Sequence, residues 1–256
     1  MRAIGVFILV LAMASPALAG PKNSVIGGKK LEQDMVHSAG IGYPSVLYEW
    51  WNNGKNNLDW GLGGELVYGD FPAAHTGRFT KIGLAIDGMV RWHLATRAHA
   101  KITNDIAILA RPAILIMGNR ADTFTFGISG EALVPVSMDV HERVNVVVGG
   151  AFIIKGHFNV DINNFGEIPL LFRLGVEIKA SERVEPWFYF DLGPGIGFGG
   201  GGGANVGFAW RLAAGTAFWG VMGKNKGASD DASTDSEEVV VVEEEDIVVV
   251  EETEIE

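Results

Sequence analysis

Between Pro169 and Ala180 every second residue is large and apolar, namely Leu170, Phe172, Leu174, Val176 and Ile178, and the residues between them include Arg173, Gly175, Glu177 and Lys179. A β-strand sends alternate side chains to opposite faces, so this stretch has one apolar face and one charged face. The same two-residue rhythm returns along most of the chain from Gly40 to Trp219. On even positions it gives Leu58, Trp60, Leu62, Leu66 and Tyr68, then Ile82, Leu84, Ile86, Val90 and Trp92, then Phe124, Phe126, Ile128, Val134 and Val136. It continues with Phe188, Phe190, Leu192, Ile196 and Phe198, and with Val206, Phe208, Trp210, Leu212 and Phe218. One such strand is weak evidence, but many in a row predict an all-β fold closed into a barrel.

Strands are expected near 40–51, 58–70, 80–94, 101–117, 123–136, 144–158, 169–180, 185–198 and 204–219. The connections between them, such as Asn52 to Asn57 and Ala180 to Arg183, are short and rich in turn formers, which favours antiparallel up-and-down order. Nine strands are visible, whereas single-chain bacterial barrels have even numbers. Either the lead-in supplies a tenth or one segment is a loop, so the expectation is a closed antiparallel up-and-down transmembrane β-barrel of 8 to 10 strands.

The ends differ from this body. Residues 1–19 carry Arg2, an apolar run from Ile4 to Met13 and the small residues Ala17-Leu18-Ala19 before Gly20, which is the order of a cleavable signal peptide. Residues 20–35 are a polar, glycine-containing lead-in, read as flexible or as one poorly marked strand. The barrel is expected over 36–220. Residues 221–256 form a flexible acidic low-complexity tail with 13 acidic residues and two lysines, so they hold the whole net charge of −11. The rest is electrically balanced, which argues against a nucleic-acid partner. Within the tail, acidic runs bracket the valine tetrads Val239 to Val242 and, after Ile247, Val248 to Val250. Divalent cations or a basic periplasmic protein are its candidate partners. The chain has no cysteine, which excludes disulfides and thiolate metal sites.

Alternation alone fits a soluble barrel with an apolar lumen or a membrane barrel with a polar one. The glycines favour the second reading. Gly61, Gly63, Gly83, Gly127, Gly149, Gly175, Gly193, Gly195, Gly207 and Gly215 all share the charged face, where they make room in a narrow bore for long charged side chains. The bore should then hold a paired network of Glu65, Asp87, Glu131, Glu177 and Asp191 with Arg91, Arg111, Arg173, Lys179 and Arg211, because isolated buried charges are costly. Tyr48, Trp50, Trp51, Tyr68, Trp92, Trp187, Phe218 and Trp219 lie near strand ends and read as aromatic girdles at headgroup level.

The leader, the dyad repeat, the even-position aromatics and the last strand ending in Phe218-Trp219 together resemble the small outer-membrane β-barrel proteins of Gram-negative bacteria, over residues 36–220. The phrase Gly40-Ile41-Gly42-Tyr43-Pro44-Ser45 looks like the first strand of uncharacterised barrels of this kind. The resemblance implies location in the outer membrane, contact with its lipid and with the barrel insertion machinery, and termini on the periplasmic side. Thirty-seven residues follow the terminal aromatic strand here, which departs from the family pattern.

No diagnostic spacing ties a histidine to Ser129 or Ser137, the two candidate nucleophiles, so a membrane-boundary lipid hydrolase is the minor reading. His93 and His157 fall on the lumen face, and His37, His75, His99 and His141 near strand ends or turns. No catalytic residue, metal or cofactor is expected. The glycine run 199–203 opens no helix and reads as a loop rather than a phosphate cradle. The leading expectation is a structural or interaction-type barrel with an occluded polar lumen; the alternative is a narrow channel for ions or small solutes.

Overall fold

The computed structural model describes residues 21, 23–69, 82–99, 102–118, 124–158, 164–199 and 203–220. The leader, His75, the middle of the glycine run and the acidic tail lie outside them. Ten strands are present: β1 (Met35–Tyr43), β2 (Ser45–Asn53), β3 (Leu58–Val67), β4 (Gly83–His99), β5 (Ile102–Gly118), β6 (Phe124–His141), β7 (Val144–Phe158), β8 (Phe165–Ile178), β9 (Val184–Gly199) and β10 (Ala204–Phe218). Each pairs antiparallel with its neighbours in sequence, and β1 pairs with β10, so the sheet is a closed up-and-down barrel. Closure leaves no free strand edge.

The tenth strand comes from an unexpected place. The stretch near 40–51 is two strands, β1 and β2, with Pro44 between them. Inward positions are even in β1, where Ser38 pairs with Glu49 and Ala217, and odd from β2 onward. The alternation therefore changes phase at Pro44, and the lead-in contributes only its last residue, Met35, to the ladder.

Register follows the hydrophobic pattern. Odd residues of β2 to β10 face the bore and even residues face outward, except past His93 in β4, where a register shift reverses the parity. Ile86 and Ile82 are 71% and 69% exposed, whereas Asp59, Arg91 and Asp191 are fully buried. Among the described residues, the only outward strand position with a formal charge is Arg97, which lies beyond the irregularity after His93 in β4. The fold is thus turned inside out relative to a water-soluble domain: the greasy side chains surround it and the charges are enclosed.

Candidate functional site: the occupied bore

The bore has three layers. At the end where β1 begins and β10 stops, the terminal end, the residues before β1 turn inward and occupy it. Asn23 to Gly28 and Leu31 are buried, and Val25, Ile26 and Leu31 pack in one apolar cluster with Trp51, Met89, Leu133, Val147, Trp187 and Trp219 of the wall. This segment is a plug, not a flexible lead-in. It is also not a strand: its amides bond to wall side chains. Glu177 Oε1 accepts from Val25 N and Ile26 N at 3.0 and 3.1 Å, while Asn145 Nδ2 donates to Glu177 Oε2 at 2.6 Å. Ser137 Oγ accepts from Gly28 N at 2.8 Å, and Glu185 Oε2 from Asn23 N at 3.1 Å.

On the opposite wall Asp59 Oδ2 sits 2.7 Å from Arg91 Nη2 and 2.8 Å from His93 Nε2, and it accepts from Leu31 N at 3.3 Å. Arg91 Nη1 donates to the carbonyls of Ser24 and Gly27 at 2.6 and 3.1 Å. Its guanidinium also lies 4.9 Å from the centre of the Trp51 ring. Every charge in this layer is therefore met by a hydrogen bond or an opposite charge, as burial demands.

The middle layer is a belt of ion pairs. Arg111 reaches Glu49 at 2.9 Å, Glu65 at 2.9 Å and Asp87 at 2.8 Å. Asp191 is gripped by Arg173 at 2.9 Å and Arg211 at 2.7 Å, and Arg211 closes on Glu131. Tyr189 lies under this group, with the Arg173 guanidinium 4.3 Å from its ring centre. The eight charged residues come from eight strands, all except β1 and β7, so the belt ties the wall together across the bore. Bidentate guanidinium–carboxylate pairs such as Arg173 with Asp191 are among the stronger and more directional contacts available.

The third layer, at the far end, is a cavity of about 70 Å³ lined among others by Tyr43, Ser45, Glu65, Ser129, Lys155 and Tyr189. A smaller space of about 20 Å³ separates the belt from the plug.

The expected network is largely assembled: Glu65, Asp87, Arg111, Glu131, Arg173, Asp191 and Arg211 form the belt. Arg91 and Glu177 belong instead to the layer that holds the plug. Lys179 is corrected. It follows the end of β8 and pairs with Glu182, whose side chain is 82% exposed, in the turn before β9. Sequence reasoning left out Glu49 and Asp59, although Asp59 shares the odd parity of the network.

The aromatic set divides. Tyr48, Trp50, Tyr68, Trp92 and Phe218 face outward. Trp51, Trp187 and Trp219 face inward at 1%, 4% and 5% exposure and are no part of a girdle. Trp51 Nε1 donates to Glu49 Oε2, and Trp187 Nε1 donates to Ser38 Oγ, both at 3.0 Å.

Of the candidate nucleophiles, Ser137 is engaged by the plug amides and Ser129 lines the far cavity. His93 contacts Asp59 and the Gly28 carbonyl, and His157 stacks on Phe165 at 4.3 Å. His37 Nδ1 lies 2.7 Å from Tyr48 Oη on the outer face, and Arg143 N donates to His141 Nδ1 at 3.3 Å. No protein-family model matches the chain, and no curated protein matches it.

Proposed function

We propose that this chain is an integral outer-membrane β-barrel protein with a closed bore, serving a structural or interaction role. The observation that carries the reading is the outer face. Among the described residues, thirty-five large apolar side chains are exposed, including Ile82, Leu84, Ile86, Val206 and Phe208, and they encircle the barrel, whereas a soluble monomer exposes contiguous apolar patches of only a few hundred Å². A membrane-spanning barrel needs such a band, with all backbone groups paired in a closed ladder.

Ring placement supports the same reading. Trp50 packs edge-on to Trp60 at 5.0 Å near the terminal end, with Trp92 and Phe218 at about the same level. Tyr43 stacks on Trp210 at 4.9 Å and meets Tyr68 at 6.5 Å near the far end. Trp210 and Phe218 are eight residues apart on β10. At a rise of about 3.4 Å and a tilt of about 40° this is about 20 Å of height, close to the roughly 25 Å apolar band of outer-membrane barrels.

The bore supports occlusion over conduction, because a solute would have to pass both a packed plug and a belt of paired charges. Two measurements test the reading. Cell fractionation should recover the protein in the outer-membrane fraction and release it only with detergent; recovery as a detergent-free soluble protein would overturn the membrane assignment. Purified full-length protein in a planar bilayer should show no stable unitary current, and regular steps would establish a channel instead.

A further inference from the structure

The wall reads the plug almost wholly through its backbone. Six amides, those of Asn23, Val25, Ile26, Gly28, Lys29 and Leu31, donate to side chains of Glu185, Glu177, Ser137 and Asp59. Five carbonyls, those of Ser24, Ile26, Gly27, Gly28 and Leu31, are met by Arg91, Arg173, His93 and Asn53. The acceptors and donors stand on β2, β3, β4, β6, β8 and β9, so the contacts surround the segment. Hydrogen bonds to main-chain groups hold a peptide independently of most of its side chains.

Side-chain selection runs from Val25 to Leu31. Val25, Ile26 and Leu31 fill the apolar cluster. A Cβ on Gly28 would stand 2.5 Å from the Asp105 carbonyl oxygen and 2.6 Å from that of Pro135, and one on Gly27 would meet Ser137 Oγ and Val147. Both obstacles at Gly28 are backbone, so neither can swing away. Lys29 Nζ then pairs with Asp139 Oδ2 at 2.8 Å. The bore thus selects three apolar residues, two glycines and a cation. The segment takes no part in the strand ladder; side-chain contacts from the wall and its covalent link to β1 tie it to the barrel.

We infer that the terminal end of the bore is a binding site for a looped polypeptide segment, filled in cis by residues 23–31, whose ends meet where Glu32 N and Gln33 N donate to Asn23 Oδ1. A separate peptide with the same order of side chains takes the site when the resident segment is excluded from it. The inference stands on the geometry of the bore alone, whether or not the outer face meets lipid.

The test uses the full chain in detergent micelles. Gly28→Val excludes the resident segment while leaving every wall contact residue in place, and a fluorescent peptide spanning residues 21–34 is then titrated in. The variant should bind the peptide saturably. The unsubstituted chain should bind it at least a hundredfold more weakly, because a tethered competitor acts at millimolar effective concentration. A peptide that itself carries Gly28→Val should not bind. Adding Glu177→Ala to the barrel should weaken binding tenfold or more, since two amides lose their acceptor.

A folded Gly28→Val barrel, shown by heat-modifiable mobility, that ignores the peptide would overturn the inference. So would equal binding to the unsubstituted chain. If the variant does not fold, hydrogen exchange on the unsubstituted chain decides. The amides of Val25, Ile26 and Gly28 should exchange together and faster than those of β5 and β6, as a separable unit does. Exchange only in step with the barrel strands would make the segment an inseparable part of the wall and end the proposal.

Discussion

Asp191 is fully buried and receives both Arg173 and Arg211. Its neutral isostere would leave two guanidinium groups facing each other across a narrow bore with one carboxylate, Glu131, between them. Removing one partner of a buried ion pair costs about 3–5 kcal/mol, mostly as the penalty on the charge left behind. Asp191→Asn is therefore expected to lower folding stability by that order in urea titrations of the micelle-bound protein. Lys179→Ala, which breaks only a turn contact with the exposed Glu182, should change it by less than about 1 kcal/mol. Equal effects would mean that the belt is solvated. The belt residues were legible because parity exposes them: Arg173, Asp191 and Arg211 each stand between two large apolar residues, and Asp87 and Glu131 share their odd numbering. Lys179 has the same parity, yet the strand ends at Ile178, one residue short, and parity says nothing beyond a strand end. Trp51 and Trp187, both within strands, show the converse. Their odd numbers placed them inside, but residue type suggested a girdle, and position along the pleat outweighs type.

The seam between β1 and β10 depends on small residues. Gly40 pairs with Gly215, and the Trp187 ring from β9 lies across both, so a Cβ at either position would run into it. Gly215→Val should displace Trp187 from its bond to Ser38, destabilise the barrel by about 1–3 kcal/mol as overpacking does, and shift the tryptophan emission. Gly150→Val faces open space outside, with nothing within 4 Å of the added Cβ, and should be neutral or mildly stabilising, since β-branched residues favour strands. An equal loss from both would show that strand propensity, not the slot for Trp187, governs the seam. The longer elements were readable within about five residues because most of each carries the alternation, and β4 and β6 run past their expected ends where register shifts break it. The division into β1 and β2 was not, because Pro44 reverses the phase within a stretch that reads as one continuous strand. Nor was the plug. Its amides find acceptors on distant side chains such as Glu177, 152 residues away from Val25, so no local periodicity records its structure.

At the scale of the whole molecule, the arrangement has one consequence that no soluble fold shares: the most exposed aliphatic side chains should be the least tolerant of charge. Ile86 is 71% exposed at an outward position of β4 and Ile128 is 50% exposed on β6, both well inside their strands. If these faces met water, Ile→Arg would alter stability by no more than about 0.5 kcal/mol, as surface substitutions do. Against hydrocarbon, the same change costs about 2–4 kcal/mol near the middle of the band and falls toward zero at its rims. Folding equilibria measured in phospholipid bilayers should therefore show large penalties for Ile86→Arg and Ile128→Arg. Val184→Arg, at the terminal end of β9, should cost much less. The gradient matters more than any single value, because a local packing defect would not order itself by height along the barrel. A flat profile near zero would mean that the apolar surface is covered by something other than lipid, and the outer-membrane reading would fall with it.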